Sequence, residues 1–426
     1  MSTTAWIALI LFLCVYIFIA AEKINKIVIS LLGGVIFIIL GIISQEDAFM
    51  AIDWNVIFLL VSMMIIVNIT KTTGIFQFLA IKTAKFAKGN PIVILILMSL
   101  ITALISAFLD NVTTVVLLSP VTILIAVELG ITPLPFIICQ AIASNIGGTA
   151  TLIGDPPNIM IGSKANLDFM DFVVNLSPVI ILILIAFSVA VLLLFRKQLH
   201  VSDERKARIM HFDENKSLEN KPLMIKCIIV LTLTVFGFLF HGKLGIEASS
   251  VALFSAALLM LLSGKHELDE YFRDIEWGTI FFFIGLFIMV QGLVDMGWIT
   301  KCAGFLMTLT NNDMPLTAAL LIWFSGILSA VVDNIPYVAT MIPMVQDIAA
   351  GLGEEAALPL WWALSLGACL GGNATLIGSS AGVISANMCT KNGYTITFMD
   401  FTKYGALITF ISLSFSTVYV LLRYYS

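Results

Sequence analysis

The chain is a succession of long apolar runs separated by short polar breaks, and most runs reach membrane-crossing length, since a transmembrane helix needs about 20 predominantly apolar residues. The pattern predicts spans over approximately 4–21, 27–44, 55–70, 134–164, 168–195, 222–240, 246–263, 278–294, 357–386 and 398–422. The first run lacks a basic flank and is too long for a cleaved leader, so it reads as a helix of the mature protein. Two further apolar stretches, 91–129 and 315–350, each carry a polar interruption near the middle. The long polar segment from Arg196 to Lys226 holds eight Lys/Arg against five acidic residues and reads as a solvated linker between two halves.

Composition agrees with that pattern. Of 426 residues, 60% are hydrophobic and 12% charged, against about 25% charged in soluble domains. The chain therefore reads as an integral membrane protein. No basic patch with interleaved aromatics points to nucleic acid. The six cysteines (Cys14, Cys139, Cys227, Cys302, Cys369, Cys389) show no metal-ligand spacing and read as free thiols in helices. The four histidines (His200, His211, His241, His266) fall in loops and at span ends.

If the linker is cytoplasmic and the spans alternate, the inner side receives eighteen basic residues. These are Lys23, Lys26, Lys71, Lys82, Lys85, Lys88, the eight of the linker, Lys265, Arg273, Lys391 and Lys403. The outer side receives four: Lys164, Lys243, Lys301 and Arg423. That bias places both termini outside, in a plasma (inner) membrane.

The halves resemble each other. SAFLDNVTTVVLLSPV (106–121) aligns with SAVVDNIPYVATMIPM (329–344) at six of sixteen positions, and GGTATLIG (147–154) with GGNATLIG (371–378) at seven of eight. FMDF recurs at 169–172 and 398–401, and Asp53-Trp54 is echoed by Glu276-Trp277. Five spans separate each element from its copy, so the copies face opposite ways, as in the inverted repeats of secondary transporters. The expected division is a first repeat over 1–195, the linker over 196–226 and a second repeat over 227–426.

Asp110 sits inside the first interrupted stretch, where an ionised carboxylate at the bilayer centre costs about 2.5–3.5 kcal/mol on insertion scales. Two readings are open. Either 91–129 is a pair of full spans with Asp110 at a surface turn, or it is a re-entrant helical hairpin whose tip lies deep in the protein. The tip lacks the Gly, Pro and Lys of surface turns, and its copy at 315–350 would arrive from the other face. Two such tips would bring Asp110, Asn111, Asp333 and Asn334 together, with Thr113 and Thr114 beside the first.

SNIGGTATLIGDPPN (144–158) places glycines, prolines and an aspartate inside one span. Such a sequence breaks the helix, and broken backbone at membrane depth is tolerated where it lines a cavity or is buried in protein. The discontinuous helices expected over 134–164 and 357–386 offer N–H groups to anions and oxygens to cations. Candidate ligands are Asn145, Gly147, Gly148, Thr149, Thr151, Asp155 and Asn158. Their counterparts are Gly371, Gly372, Asn373, Thr375 and Ser379, the last standing where the first half has Asp155. Helix capping by the aspartates and kinks that let helices pack closely are the plainer readings of the same residues.

LDNVTT, SNIGGTATLIGDPPN, SAVVDNIP and GACLGGNATLIG resemble the ion transporter superfamily. The likeness is greatest to the ArsB and P-protein (pink-eyed dilution) branch, with NhaD-type sodium/proton antiporters and dicarboxylate/sodium symporters more distant. The resemblance implies an all-α polytopic membrane protein of two inverted-topology repeats, with about ten spans, two re-entrant hairpins and two discontinuous helices. It also implies a homodimer and an elevator mechanism. Where the dicarboxylate branch carries Ser-Asn-Thr at the hairpin tips, this chain has Asp110-Asn111 and Asp333-Asn334-Ile335-Pro336. Carboxylates close together in low dielectric call for a compensating proton or cation, so the tips are expected to handle Na⁺ or H⁺ as coupling ion.

Three classes remain: an ion-coupled secondary transporter, a passive channel on the same scaffold, and an intramembrane aspartyl protease. The last is disfavoured because Asp155 follows Leu-Ile-Gly rather than the Gly-x-Gly that such enzymes carry. Within the first class, sodium/proton exchange, arsenite or antimonite efflux against protons, and inorganic or carboxylate anion transport stay open. No P-loop is present, so an arsenical ATPase would be a separate partner. Lys82, Lys85 and Lys88 read as an amphipathic inner-surface helix. Trp54, Trp277, Trp298 and the Trp361-Trp362 pair read as interfacial anchors.

Overall fold

The computed structural model describes residues 2–21, 24–264 and 269–426. Lys23, Lys265 and His266 lie outside the described residues. Among those described there is no strand, and the helices follow one another in two matching series.

The first series runs α1 (Thr3–Ala21), α2 (Lys26–Ile39), α3 (Gln45–Met50), α4 (Trp54–Lys71) and α5 (Ile75–Phe86). It continues with α6 (Pro91–Ser106), α7 (Asn111–Leu129), α8 (Leu134–Gly148), α9 (Pro156–Ala165) and α10 (Phe169–Phe195). After α11 (Asp203–Met210) the second series repeats the order: α12 (Lys221–Leu244), α13 (Ala248–Ser263), α14 (Asp269–Arg273), α15 (Trp277–Asp295) and α16 (Trp298–Leu309). Then come α17 (Met314–Ser329), α18 (Asn334–Leu352), α19 (Glu354–Gly371), α20 (Ser380–Lys391) and α21 (Phe398–Tyr424). Eight of these helices are long and apolar enough to cross a membrane, and shorter apolar helices such as α2, α6, α8, α13 and α17 accompany them.

Local sequence explains the boundaries. Asn90 caps α6 through the backbone N–H groups of Ile92 and Val93, with Pro91 in the first turn, and Asp313 caps the matching α17 through Leu316. Proline is at home there because first-turn N–H groups have no intrahelical partner. Capping boxes start the matched helices α10, at Asp168 and Asp171, and α21, at Thr397 and Asp400.

The halves interlock rather than sit side by side. Helix α2 packs on α15 and α13 on α4, so each half lends a helix to the other. Small residues allow the approach: a Cβ on Gly285 would stand 2.4 Å from the Ser30 carbonyl oxygen, and Ser30 donates to the Phe282 carbonyl at 2.8 Å. Small-residue contacts of this kind hold membrane helices together where lipid supplies no hydrophobic drive. Likewise α6 packs on α8 and α17 on α19. At the first of these a Cβ on Gly147 would meet the Ala103 carbonyl oxygen at 2.0 Å.

Polarity is inverted relative to a soluble protein. Asn145, Asp155, Asn158 and Gln140 are fully buried, while Leu193, Ile229, Phe236 and Val418 are exposed. Apolar faces of that extent mark a lipid environment. The cysteines all lie in helices, and none is paired.

One reading of the sequence needs correction. Trp361 and Trp362 are buried within α19, Trp362 meeting Phe172 edge-on at 5.2 Å; they are core residues because α19 is enclosed on all sides, whereas Trp54 and Trp277 are half exposed at helix starts. The segment from Arg196 to Lys226 is largely exposed to solvent, yet it carries regular structure and docks at a few points. It forms α11 and a short 3₁₀ turn, and buries Leu199 and Ile209. Lys85 of α5 binds Glu214 at 2.5 Å and the Phe212 carbonyl at 3.1 Å, and Glu219 donates its N–H to the Thr73 carbonyl at 3.2 Å.

Candidate functional site

Helices α6 and α7 form one hairpin and α17 and α18 another, each turning through four residues, 107–110 and 330–333. The last residue of each turn is an aspartate that caps the outgoing helix. Asp110 accepts from Thr113 N–H at 2.8 Å and Asp333 from Ile335 N–H at 3.4 Å. Capping uses one carboxylate oxygen and leaves the other for partners beyond the turn.

Beside the tips, α8 and α19 each end in irregular backbone before α9 and α20 resume. Side chains bond part of the broken backbone, as membrane depth favours. Thr151 donates to the Ala107 carbonyl and Thr375 to the Ala330 carbonyl, so each break is tied to a hairpin turn by matching bonds. Asn158 donates to the carbonyls of Thr149 at 3.1 Å and Thr151 at 2.9 Å, and accepts from Ser365 at 2.6 Å.

Where the four elements meet, Asn145 is the hub. It accepts from Asn111 at 2.9 Å and donates to Asn373 at 2.8 Å and Ser379 at 2.9 Å. In front of this cluster opens a cavity of about 230 Å³ lined by Asp110, Asn111, Asp155, Asp333 and Asn334. Asp155 begins α9 without capping it; its two oxygens accept from Asn334 at 3.3 Å each. The cavity thus collects both aspartate-asparagine pairs and the unmatched Asp155. Among the described residues, no three His, Cys, Asp or Glu side chains converge as ligands of one metal ion.

Other residues singled out in the sequence lie outside the lining. Thr149 donates to the Asn145 carbonyl at 2.7 Å, so its hydroxyl, like those of Thr151 and Thr375, is engaged by backbone. Thr114 is buried with its hydroxyl unpartnered among the described residues, and Thr113 faces a side groove. Gly147, Gly148, Gly371 and Gly372 permit close backbone packing at the breaks.

Four polar lining residues were not singled out as ligands in the sequence: Lys26, Glu276, Thr279 and Ser380. Lys26 binds Asp333 at 2.6 Å and donates to Ser380 at 3.0 Å. It had been counted with the basic loop residues because it stands at the start of an apolar run. Glu276 accepts from Thr279 at 3.1 Å and feels the charges of Asp110 and Lys26. Its echo of Asp53 was the available signal, yet the two now differ. Asp53 is closed off by Ser163 at 2.8 Å and Lys164 at 3.4 Å, whereas Glu276 and Met64 also line a groove leading to Asn68, Lys71 and Asp274. Lys71 in that groove is two residues from Thr73, whose carbonyl receives the linker's Glu219 N–H.

Helices long and apolar enough to span a membrane, around a cavity between two hairpins and two helix breaks, fit a transporter, and comparison with known proteins agrees. The chain belongs to the CitMHS family, described as citrate transporters, whose profile matches residues 16–367. It is accordingly a secondary transporter of the ion transporter superfamily. It is 42% identical to an uncharacterized transporter of Mycobacterium tuberculosis over 98% of both chains, and 43% identical to a 46 kDa membrane protein of Mycobacterium leprae over 98% of both. It is 29% identical to the human P protein, covering 99% of this chain and 60% of that one. In fold it resembles the YdaH transporter of Alcanivorax borkumensis, with a TM-score of 0.59 and 12% identity over 85% of this chain and 84% of the other.

Proposed function

We propose that the protein exchanges a small monovalent cation for protons, using the hairpin-tip aspartates as shared ligands. One observation carries this reading: four carboxylates (Asp110, Asp155, Glu276, Asp333) and one lysine line a single cavity. If all are ionised the formal charge is −3, four negative against one positive. Leaving several uncompensated charges in a low-dielectric site is costly, so a cation or protons must accompany the occupied states. Alternation between the two is exchange. The positive-inside bias makes the linker end cytoplasmic, and the groove beside Glu276 then gives the cavity cytoplasmic access. The matched helix series supports inverted repeats with re-entrant hairpins, and an elevator-like movement of the hairpins in a homodimer completes the reading.

Two other cargoes belong in the test. The family's description names citrate, and a citrate trianion would meet four carboxylates here, which argues against it in free form. Arsenite or antimonite as a neutral hydroxide would meet no such repulsion; a partner ATPase would then be a separate chain. In proteoliposomes carrying an internal pH dye, addition of Na⁺ or Li⁺ is expected to move protons with saturation. Proton movement triggered by arsenite or antimonite alone, or by citrate alone, would replace the proposal with that cargo, and flux linear in concentration would indicate a channel.

A further inference from the structure

The two hairpin tips are alike in sequence but not in partners. Asp333 receives an ammonium, and Asp110 has no ion pair among the described residues. Lys26 is supplied by the start of α2, a helix packed on α1 and α15. The helix matching α2 is α13, which begins with Ala248 and offers no such charge. Three contacts close a triangle: Lys26 to Asp333 at 2.6 Å, Lys26 to Ser380 at 3.0 Å, and Ser380 to the same carboxylate oxygen at 2.9 Å. The ammonium also sits 5.4 Å from the centre of the Phe282 ring. Ser380 opens α20, so Lys26 ties α2 to both the second hairpin and the second helix break.

A lysine ammonium is a compact single positive charge with freely turning donors on a flexible stem. Its chemistry at Asp333 is that of a monovalent cation, except that it cannot leave. Any free cation that takes Asp333 as a ligand must first displace it. We infer that Lys26 is a tethered counter-ion that occupies Asp333 in the unloaded carrier and competes there with the coupling cation. This rests on the cation-exchange reading and assigns Lys26 as the residue that sets apparent cation affinity. Asp110, with Asp155 and Glu276 near it, is the side at which a cation first arrives. Displacement of Lys26 then removes its tie from α2 to the second hairpin, while the Tyr16 hydroxyl bond from α1 to the Pro336 carbonyl and the packing of α15 and α16 on α18 remain. Cation binding and release of that tie are thereby linked, as coupling between two equilibria requires.

A lysine engaged about ten times more often than not weakens the apparent affinity of a competitor about tenfold. The test is a Na⁺ titration of the purified full-length protein, read by thermal stability at constant ionic strength held with choline chloride. Lys26→Met and Lys26→Gln are expected to lower the half-saturating Na⁺ about tenfold. In an Asp333→Asn background the same substitutions are expected to change nothing further, because the contested ligand is gone. Unchanged or weaker Na⁺ binding in both lysine variants would overturn the inference. So would an equal gain in the Asp333→Asn background, which would mean a diffuse charge effect, or the absence of saturable Na⁺ response in every protein. Sodium-driven proton flux in the parent with no lysine effect on binding would leave the exchange reading standing and remove this one. The stated binding shifts without proton flux would do the reverse.

Discussion

Asn145 does at the residue scale what the interlocked halves do for the whole chain. Its amide binds the first hairpin through Asn111 and the second break through Asn373 and Ser379, so one buried side chain joins elements from both halves. Replacing it by alanine leaves those three polar partners buried and short of a bond, and each such loss costs about 1–3 kcal/mol. Asn145→Ala is therefore expected to lower the apparent melting temperature in detergent and to abolish transport. A variant as stable as the parent would show that water or local rearrangement satisfies the cluster. The aspartates are simpler: each caps a helix with one oxygen and presents the other to the cavity, so capping and ion handling are compatible in one side chain.

At the scale of elements, the docking of the linker gives a testable contact outside the membrane. Gly74 has φ +78°, and a Cβ there would stand 1.7 Å from the Ser217 carbonyl oxygen; only glycine lets the turn after α4 receive the linker. Beside it, the Lys85 ammonium bonded to Glu214 holds that carboxyl below its ordinary value. The sign follows: a depressed carboxyl pKa favours the docked form above the ordinary glutamate range near pH ~4.3, and the contribution fades as acid protonates Glu214. Proteolytic nicking of residues 203–220 is thus expected to accelerate in Lys85→Ala at neutral pH, and in the parent only in acid. Equal rates for both proteins at pH 7 would show that the pair contributes nothing to docking.

Much of this element-level plan was legible from the sequence. The apolar runs gave six of the eight membrane-length helices because lipid forces a near-continuous signal, with α7 and α18 in the two interrupted stretches, and α1 follows the predicted first span within one residue at its start. The turns of both hairpins and both helix breaks fell where Asp-Asn and Gly-Gly interrupt apolar sequence. What was missed has a physical reason. Lys26 and Glu276 sit at helix starts, where charge also serves interfaces, and only the packing of α2 on α15 brings them inward. Trp361-Trp362 resembled an anchor because sequence does not tell an enclosed helix from one meeting lipid. The docking points of the otherwise exposed linker were not legible because they depend on Lys85, Gly74 and Thr73, far upstream in the chain.

For the whole molecule, the two faces differ although the halves match. On one side Asp53 at the start of α4 is sealed by Ser163 and Lys164 of α9, and on the other Glu276 at the start of α15 borders an open groove. On the proposed reading this asymmetry is one state of an alternating carrier, whose other state would exchange the two conditions. The central claim is that the tip aspartates carry the exchanged charge. It is tested most directly by measuring cation-driven proton flux in proteoliposomes for the parent, Asp110→Asn and Asp333→Asn, each checked for folding by its elution as a single species. Asparagine keeps the cap but cannot ionise, so both variants are expected to lose at least about 90% of the flux, a tenfold fall that corresponds to ~1.4 kcal/mol. Proton flux equal to that of the parent in both well-folded variants would contradict the account and leave the two aspartates as helix caps.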